Sequence, residues 1–190
     1  WLEGLVHVTF QNSLGSQAER IDRIASIATL LAELIGSDPD TAWNAAILAK
    51  TDLRSSMVGE FPELQGTMGK YYAVAAGCTD EVAIAAQEHW SPRGPEEPAP
   101  TQPTSVAVAI SEKVDTLTGF WKIDEKPTGS KDPFALRRAA LGVIRIILEN
   151  DLRLSLDRVL IESMNAHYLR DSEIDASERA RRIEELKAQL

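Results

Sequence analysis

Apolar residues recur along most of this chain at spacings of three and four, the period of a helix with one buried face. Ile21, Ile24, Ala25, Ile27, Ala28, Leu31, Leu34 and Ile35 form the first such stripe. Ser16 and Glu19 precede it as a capping box, and Gly36 stops it. Asp38-Pro39 opens a second helix carrying Ala42, Trp43, Ala46, Ile47, Ala49 and Leu53, which the pattern extends to Val58. Phe61-Pro62 restarts the chain into a third, through Met68, Tyr72 and Ala76 to Gly77. Gly66 and Gly69 fall inside it; at about 1 kcal/mol each relative to alanine, they predict a close helix contact or a kink. Thr79 caps a fourth helix, Asp80 to Trp90. Five of the nine prolines lie between 91 and 104, so that stretch is a loop. Ser105 starts a fifth helix through Phe120, and Asp132-Pro133 a sixth that ends near Asn150. Ser155 or Asp157 starts a seventh through Tyr168. Residues 5–15 read as a short helix or an extended entry. No stretch alternates with period two long enough to mark a strand, so the class is all-α.

These helices share enough apolar surface for one core, which sets a single domain over 1–171. The stretch 172–190 is highly charged, with Ile174, Ile183, Leu186 and Leu190 as its only large apolar residues. It predicts an exposed helix, or one awaiting a partner, leading toward the next part of a longer chain. The opening Trp1-Leu2-Glu3-Gly4-Leu5 resembles neither a signal peptide nor a natural amino terminus, and an excised piece of something larger is expected. At 44% hydrophobic and 26% charged residues the composition is that of an ordinary soluble globule. No run approaches about 20 apolar residues, so no membrane contact is expected. Cys78 is the only cysteine, which excludes an intramolecular disulfide, fits a reducing cytoplasm and reads as a buried spectator thiol. A net charge of -9 weighs against generic nucleic-acid binding and leaves RNA contact to a local patch.

Candidate chemistry gathers in two places. Around Pro127-Thr128-Gly129-Ser130-Lys131-Asp132-Pro133-Phe134 the chain turns into the sixth helix, whose first turns carry Arg137 and Arg138. Cations early in a helix oppose its dipole and favour a neighbouring anion. With Lys126 and Lys131 they form the densest cationic patch, suited to a phosphate group or to structural pairing with Asp132, Glu60 or Glu63. The glycine and lysine there lack the strand and the spaced first glycine of a phosphate loop. The second place is Ala49-Lys50-Thr51-Asp52, with His89, Glu112 and Asp115 further along. Trp43, Trp90, Trp121, Tyr71 and Tyr72 read mostly as core or half-core anchors.

The Pro127–Arg138 stretch resembles the beta subunit of the bacterial two-chain glycyl-tRNA synthetase. So do Met57-Val58-Gly59-Glu60-Phe61-Pro62-Glu63-Leu64-Gln65-Gly66, Met68-Gly69-Lys70-Tyr71-Tyr72-Ala73, Glu88-His89-Trp90 and Lys113-Val114-Asp115-Thr116-Leu117. The resemblance covers roughly residues 1–160 and implies a helical domain of the HD-hydrolase type inside a longer subunit. HD hydrolases hold a metal with a helix histidine, a His-Asp pair and a later aspartate. Here the pair is absent: Lys50 and Asp52 stand near its place, Gln11 or its neighbours near the first histidine, and Glu112 at the late aspartate. The resemblance therefore implies a degenerate pocket of Lys50, Asp52, His89, Glu112 and Asp115 without catalytic, cofactor or metal ligands. An ammonium at Lys50 could neutralise buried carboxylates there, or Lys50 and Asp52 could face solvent at a helix end. His89 reads as a hydrogen-bonded structural histidine.

By the same resemblance, the chain is a non-catalytic piece of glycine–tRNA ligase, inactive alone and cytoplasmic. Its partners would be the alpha subunit, tRNA(Gly) and other beta-subunit domains, with ATP and magnesium used by the full enzyme. The alternative is a metal-dependent HD-type phosphohydrolase.

Overall fold

The computed structural model describes residues 1–168 together with 181, 184–186 and 188. A 3-10 helix, Leu2–His7, leads into a two-stranded antiparallel hairpin of β1 (Thr9–Gln11) and β2 (Gly15–Ser16). Eight α-helices follow: α1 (Gln17–Ile35), α2 (Pro39–Leu48), α3 (Ser56–Glu60), α4 (Thr67–Ala75), α5 (Asp80–Glu88), α6 (Pro103–Lys122), α7 (Leu136–Glu149) and α8 (Leu156–Tyr168). The all-α class holds for the described residues, the hairpin being the entry to α1.

Helix ends follow local chemistry. Ser16 accepts from the Glu19 amide while the Glu19 carboxylate returns to the Ser16 amide, closing the capping box. Gly36 ends α1 in the left-handed conformation, Asp38 caps α2 ahead of Pro39, and Thr79 caps α5.

Three expected boundaries differ by more than two residues. The second helix stops at Leu48 instead of Val58: the chain tightens into a 3-10 turn, Thr51–Arg54, and Ser55 caps the short α3. Gly66 is not inside a helix but precedes α4 at φ 80, where its amide and that of Gly69 donate to the Asp52 carboxylate at 2.6 and 3.1 Å. Pro133 is not the first residue of α7. Asp132 reaches forward to the amides of Leu136 and Arg137, so the helix begins at Leu136 with Ala135 left-handed before it.

Helix α6 is the axis of the molecule. Every residue from Thr104 to Asp115 is buried, because α1, α2, α5, α7 and α8 all pack against it. The main core joins Ile21, Ile24, Ile27 and Leu31 of α1 to Ile47 of α2 and to Val106 and Ile110 of α6. A smaller cluster of Leu14, Phe120 and Leu136 ties the hairpin to the start of α7. A helix so enclosed is expected to be apolar all round, yet α6 carries Glu112, Lys113 and Asp115 at its buried midpoint. The expected charged helix over 172–190 lies almost entirely outside the described residues; of those described there, Leu186 is buried and Arg181, Glu184 and Glu185 are exposed.

Candidate functional site

The charges of α6 are met by side chains from three other elements. Arg20, on α1, places Nη2 2.8 Å from Glu112 Oε1 and Nε 3.3 Å from Asp115 Oδ2, and donates to Thr116 Oγ1 at 2.7 Å. Arg23, one turn on, sets Nε 2.6 Å from Asp115 Oδ1. Lys50, at the end of α2 and only 3% exposed, lies 2.9 Å from Glu112 Oε1. From α8, His167 Nε2 stands 3.2 Å from Asp115 Oδ1.

Lys50 thus lies inside the protein and not at the surface. Burial pulls its ammonium below the usual lysine range, with Glu112 opposing that shift. Glu112 is lowered too, for the opposite reason: burial would raise its carboxyl, but Arg20 and Lys50 hold it down at about 2. Asp115, bonded to His167 and flanked by both arginines, also lies well below the ordinary carboxylate range, against the effect of its burial.

Four of the five residues expected in one degenerate pocket lie together, Lys50 acting on Glu112, Asp52 and His89, and Arg20 links Asp115 to them; each carboxylate has its own donors. Glu112 belongs to Lys50 and Arg20, Asp115 to the arginines and His167, and Asp52 to the amides of Gly66 and Gly69. Burial raises the Asp52 carboxyl. His89, fully buried, bonds the Ala86 carbonyl through Nδ1 at 2.8 Å and stacks on Trp90; burial and the Lys50 charge hold it neutral, with a pKa of about 3. Arg20, Arg23 and His167 were absent from the sequence-based set. The available signal was two arginines three residues apart on the apolar stripe of α1, where an amphipathic helix normally carries none.

This arrangement does not fit a metal ion. The carboxylates that would ligate one are already bound to guanidinium, ammonium or amide donors. Among the described residues no group of three His, Cys, Asp or Glu side chains could hold a metal ion.

A cavity of about 520 Å³ opens beside this network. Phe10, Trp90, Phe120 and Phe134 supply aromatic walls; Arg20, Arg93, Lys113 and Arg138 supply positive charge, Glu112 is the carboxylate among the described lining residues, and Glu97 pairs with Arg93 at 2.9 Å. The Pro127–Arg138 stretch therefore forms one wall through Phe134, Ala135 and Arg138. Arg138 donates to the Arg93 carbonyl at 3.4 Å, bridging α7 to the proline-rich loop. The expected pairing of these arginines with Glu60 or Glu63 does not occur, since the Asp52 clamp at Gly66 places both glutamates on an exposed excursion. Asp132 serves backbone amides instead of guanidinium groups. Lys126 pairs with Asp124, and Lys131 and Arg137 are exposed. Of the aromatic residues read mostly as anchors, Trp43 is buried, whereas Trp121 and Tyr71 are exposed.

The family model of the glycyl-tRNA synthetase beta subunit matches residues 1–188. The chain belongs to that family. A glycine–tRNA ligase beta subunit of Dinoroseobacter shibae is 60% identical, the match covering 91% of this chain and 26% of the relative. Those of Ruegeria sp. and Paracoccus denitrificans are each 62% identical, over 86% of this chain and 24% of the relative. The chain spans about a quarter of the length of the curated relatives it matches. Within this beta-subunit segment, no helix of the described residues is long and apolar enough to cross a membrane.

Proposed function

We propose that this chain is a non-catalytic helical module of the glycine–tRNA ligase beta subunit, supporting tRNA positioning and assembly for glycyl-tRNA synthesis. The observation that carries the reading is family membership over 1–188, joined to a buried network whose acidic groups are engaged internally. In this reading glycine activation, with its ATP and magnesium, belongs to the alpha subunit. The remaining three quarters of the beta subunit and tRNA(Gly) are the other partners, in the cytoplasm. A metal-dependent phosphohydrolase is disfavoured by the donor set, because Lys50 and Arg20 lie against the carboxylates a metal would need.

Lys131 and Arg137 are the groups best suited to tRNA phosphate. Both are exposed, and Arg137 sits in the first turn of α7. In the complete two-chain enzyme, Arg137→Ala is expected to weaken tRNA binding and lower the salt-dependence slope by about 1, with melting temperature unchanged. An unchanged affinity and slope for both Arg137→Ala and Lys131→Ala would sink the phosphate contact.

A further inference from the structure

The cavity beside the ionic network has features that neither packing nor the proposed backbone contacts of Lys131 and Arg137 use. Four cations line it in a chain of net charge -9; Arg20 is paired with Glu112 and Asp115 and Arg93 with Glu97, which leaves Lys113 and Arg138 without an ion pair among the described residues. The Glu112 carboxylate is buried, and its Oε1 is already bound by Arg20 and Lys50. Its other oxygen, Oε2, is buried without a hydrogen-bond partner. A buried acceptor left open costs free energy unless something donates to it. Two guanidinium groups lie over rings here: Arg20 3.8 Å from the Phe10 centroid and Arg93 5.1 Å from that of Trp90. Phe134 stacks on Phe120 with centroids 4.1 Å apart and keeps 36% of its surface open.

We propose that this cavity binds a nucleoside 5′-phosphate, its base against Trp90 and Phe134 and its phosphate between Arg93, Lys113 and Arg138. A flat ring matches the aromatic walls, since every base has a face that stacks on an aromatic side chain. A charge near −2 matches the two cations without an ion pair, Lys113 and Arg138, better than a single carboxylate would. The volume falls within the usual range of about 300–1,000 Å³ for small-molecule sites. The nucleotide is either free or the exposed end of a single-stranded RNA, and both present the same chemistry.

Lys113 gives the site a pH signature. Its Nζ donates to the Trp90 carbonyl at 2.8 Å. Burial lowers its pKa to about 8, with Glu112 and Glu97 raising it and Lys50 and Arg138 lowering it further. An anion binds the protonated form better, so affinity falls as pH rises past about 8.

The test titrates the 190-residue chain with adenosine 5′-monophosphate, adenosine and inorganic phosphate separately, followed by tryptophan fluorescence and calorimetry. The nucleotide is expected to bind at least about tenfold more tightly than either half. Phe134→Ala and Arg138→Ala, both on exposed parts of the wall, are each expected to weaken it by about tenfold or more without unfolding the chain. Competition by a short single-stranded RNA at lower concentration than the mononucleotide assigns the site to an RNA end; failure to compete assigns it to a free nucleotide. Equal binding of phosphate and nucleotide, no saturable binding, or binding unaffected by both substitutions overturns the proposal. Because Lys131 and Arg137 lie outside the cavity lining, tRNA affinity retained in Phe134→Ala leaves the tRNA-positioning role standing on its own.

Discussion

The two partners of the Lys50–Glu112 pair are not equivalent, and substituting each should show it. Glu112 is held at about 2 against an ordinary 4.5, a difference of about 2.5 units, or about 3 kcal/mol in favour of the ionised carboxylate in the fold. Both its cations share Oε1, so Glu112→Gln removes the charge that two buried groups depend on. Arg20 retains Asp115 and Thr116, whereas among the described residues Lys50 keeps no direct ion pair and only the more distant charge of Asp52. Breaking a buried pair from that side costs about 3–5 kcal/mol. Lys50→Met acts differently: it removes an ammonium whose burial is itself unfavourable, and Glu112 still has Arg20 at 2.8 Å. Its cost is expected to be about 1 kcal/mol, with the apolar stem of Met filling the same space. The double variant should then be more stable than Glu112→Gln alone, with a coupling of at least about 1 kcal/mol. Urea denaturation at pH 7 of the four proteins measures all terms, provided the slope of free energy against urea is unchanged. Should Lys50→Met cost as much as Glu112→Gln, or the two add within about 0.5 kcal/mol, the assignment of Glu112 as the stabilised member is wrong.

Acid sensitivity offers a second measurement. His89 is neutral in the fold with a pKa of about 3, below its ordinary 6.5, so unfolding takes up a proton between those values. Its contribution is complete above pH 6.5 and is lost as pH falls towards 3, at up to about 1.4 kcal/mol per unit. His89→Asn is expected to flatten that slope between pH 6.5 and 4.5, above the range where Glu112 titrates; an unaltered slope in equilibrium unfolding would contradict the neutral assignment. Gly66→Ala is expected to destabilise by at least about 2 kcal/mol, since φ is 80 and the added carbon would sit 2.9 Å from the Gln87 carbonyl oxygen. A loss below about 0.5 kcal/mol in chemical denaturation would show that this turn relaxes freely.

Much of the architecture was legible because its signals are local. The Ser16–Glu19 box, Gly36, Asp38-Pro39 and Thr79 each satisfy helix-end groups within a few residues, so sequence spacing alone reveals them. What escaped depends on distant partners. Asp52 caps amides fourteen and seventeen positions ahead, which turned an expected continuous helix into a turn, a short helix and a restart. Pro133 suits a helix start, but Asp132 reaches four and five residues forward and moves that start to Leu136. The site was half visible. Lys50, Glu112 and Asp115 could be named from their positions, but Arg20, Arg23 and His167 reach them across 52 to 95 residues of chain. Nothing in periodicity specifies which buried carboxylate an arginine on another helix will find.

The Asp52 clamp has a consequence for how this segment tolerates change. Because its carboxylate ties Gly66 and Gly69 to the 3-10 turn, the segment 53–65 starts and ends at nearly one place on the helical body, anchored by the buried Ser55 and Val58 and exposed from Gly59 to Glu63. Its length is therefore decoupled from the spacing of α2 and α4. Inserting a few polar residues near Glu63, at the exposed tip, lengthens a closed loop whose entropy grows only logarithmically, about 0.6 kcal/mol for each doubling. The same insertion two residues after Gly66 would shift the helix past its clamp. This excursion is thus the place where the domain can accept new sequence, a tag or a binding epitope, while its core keeps its register.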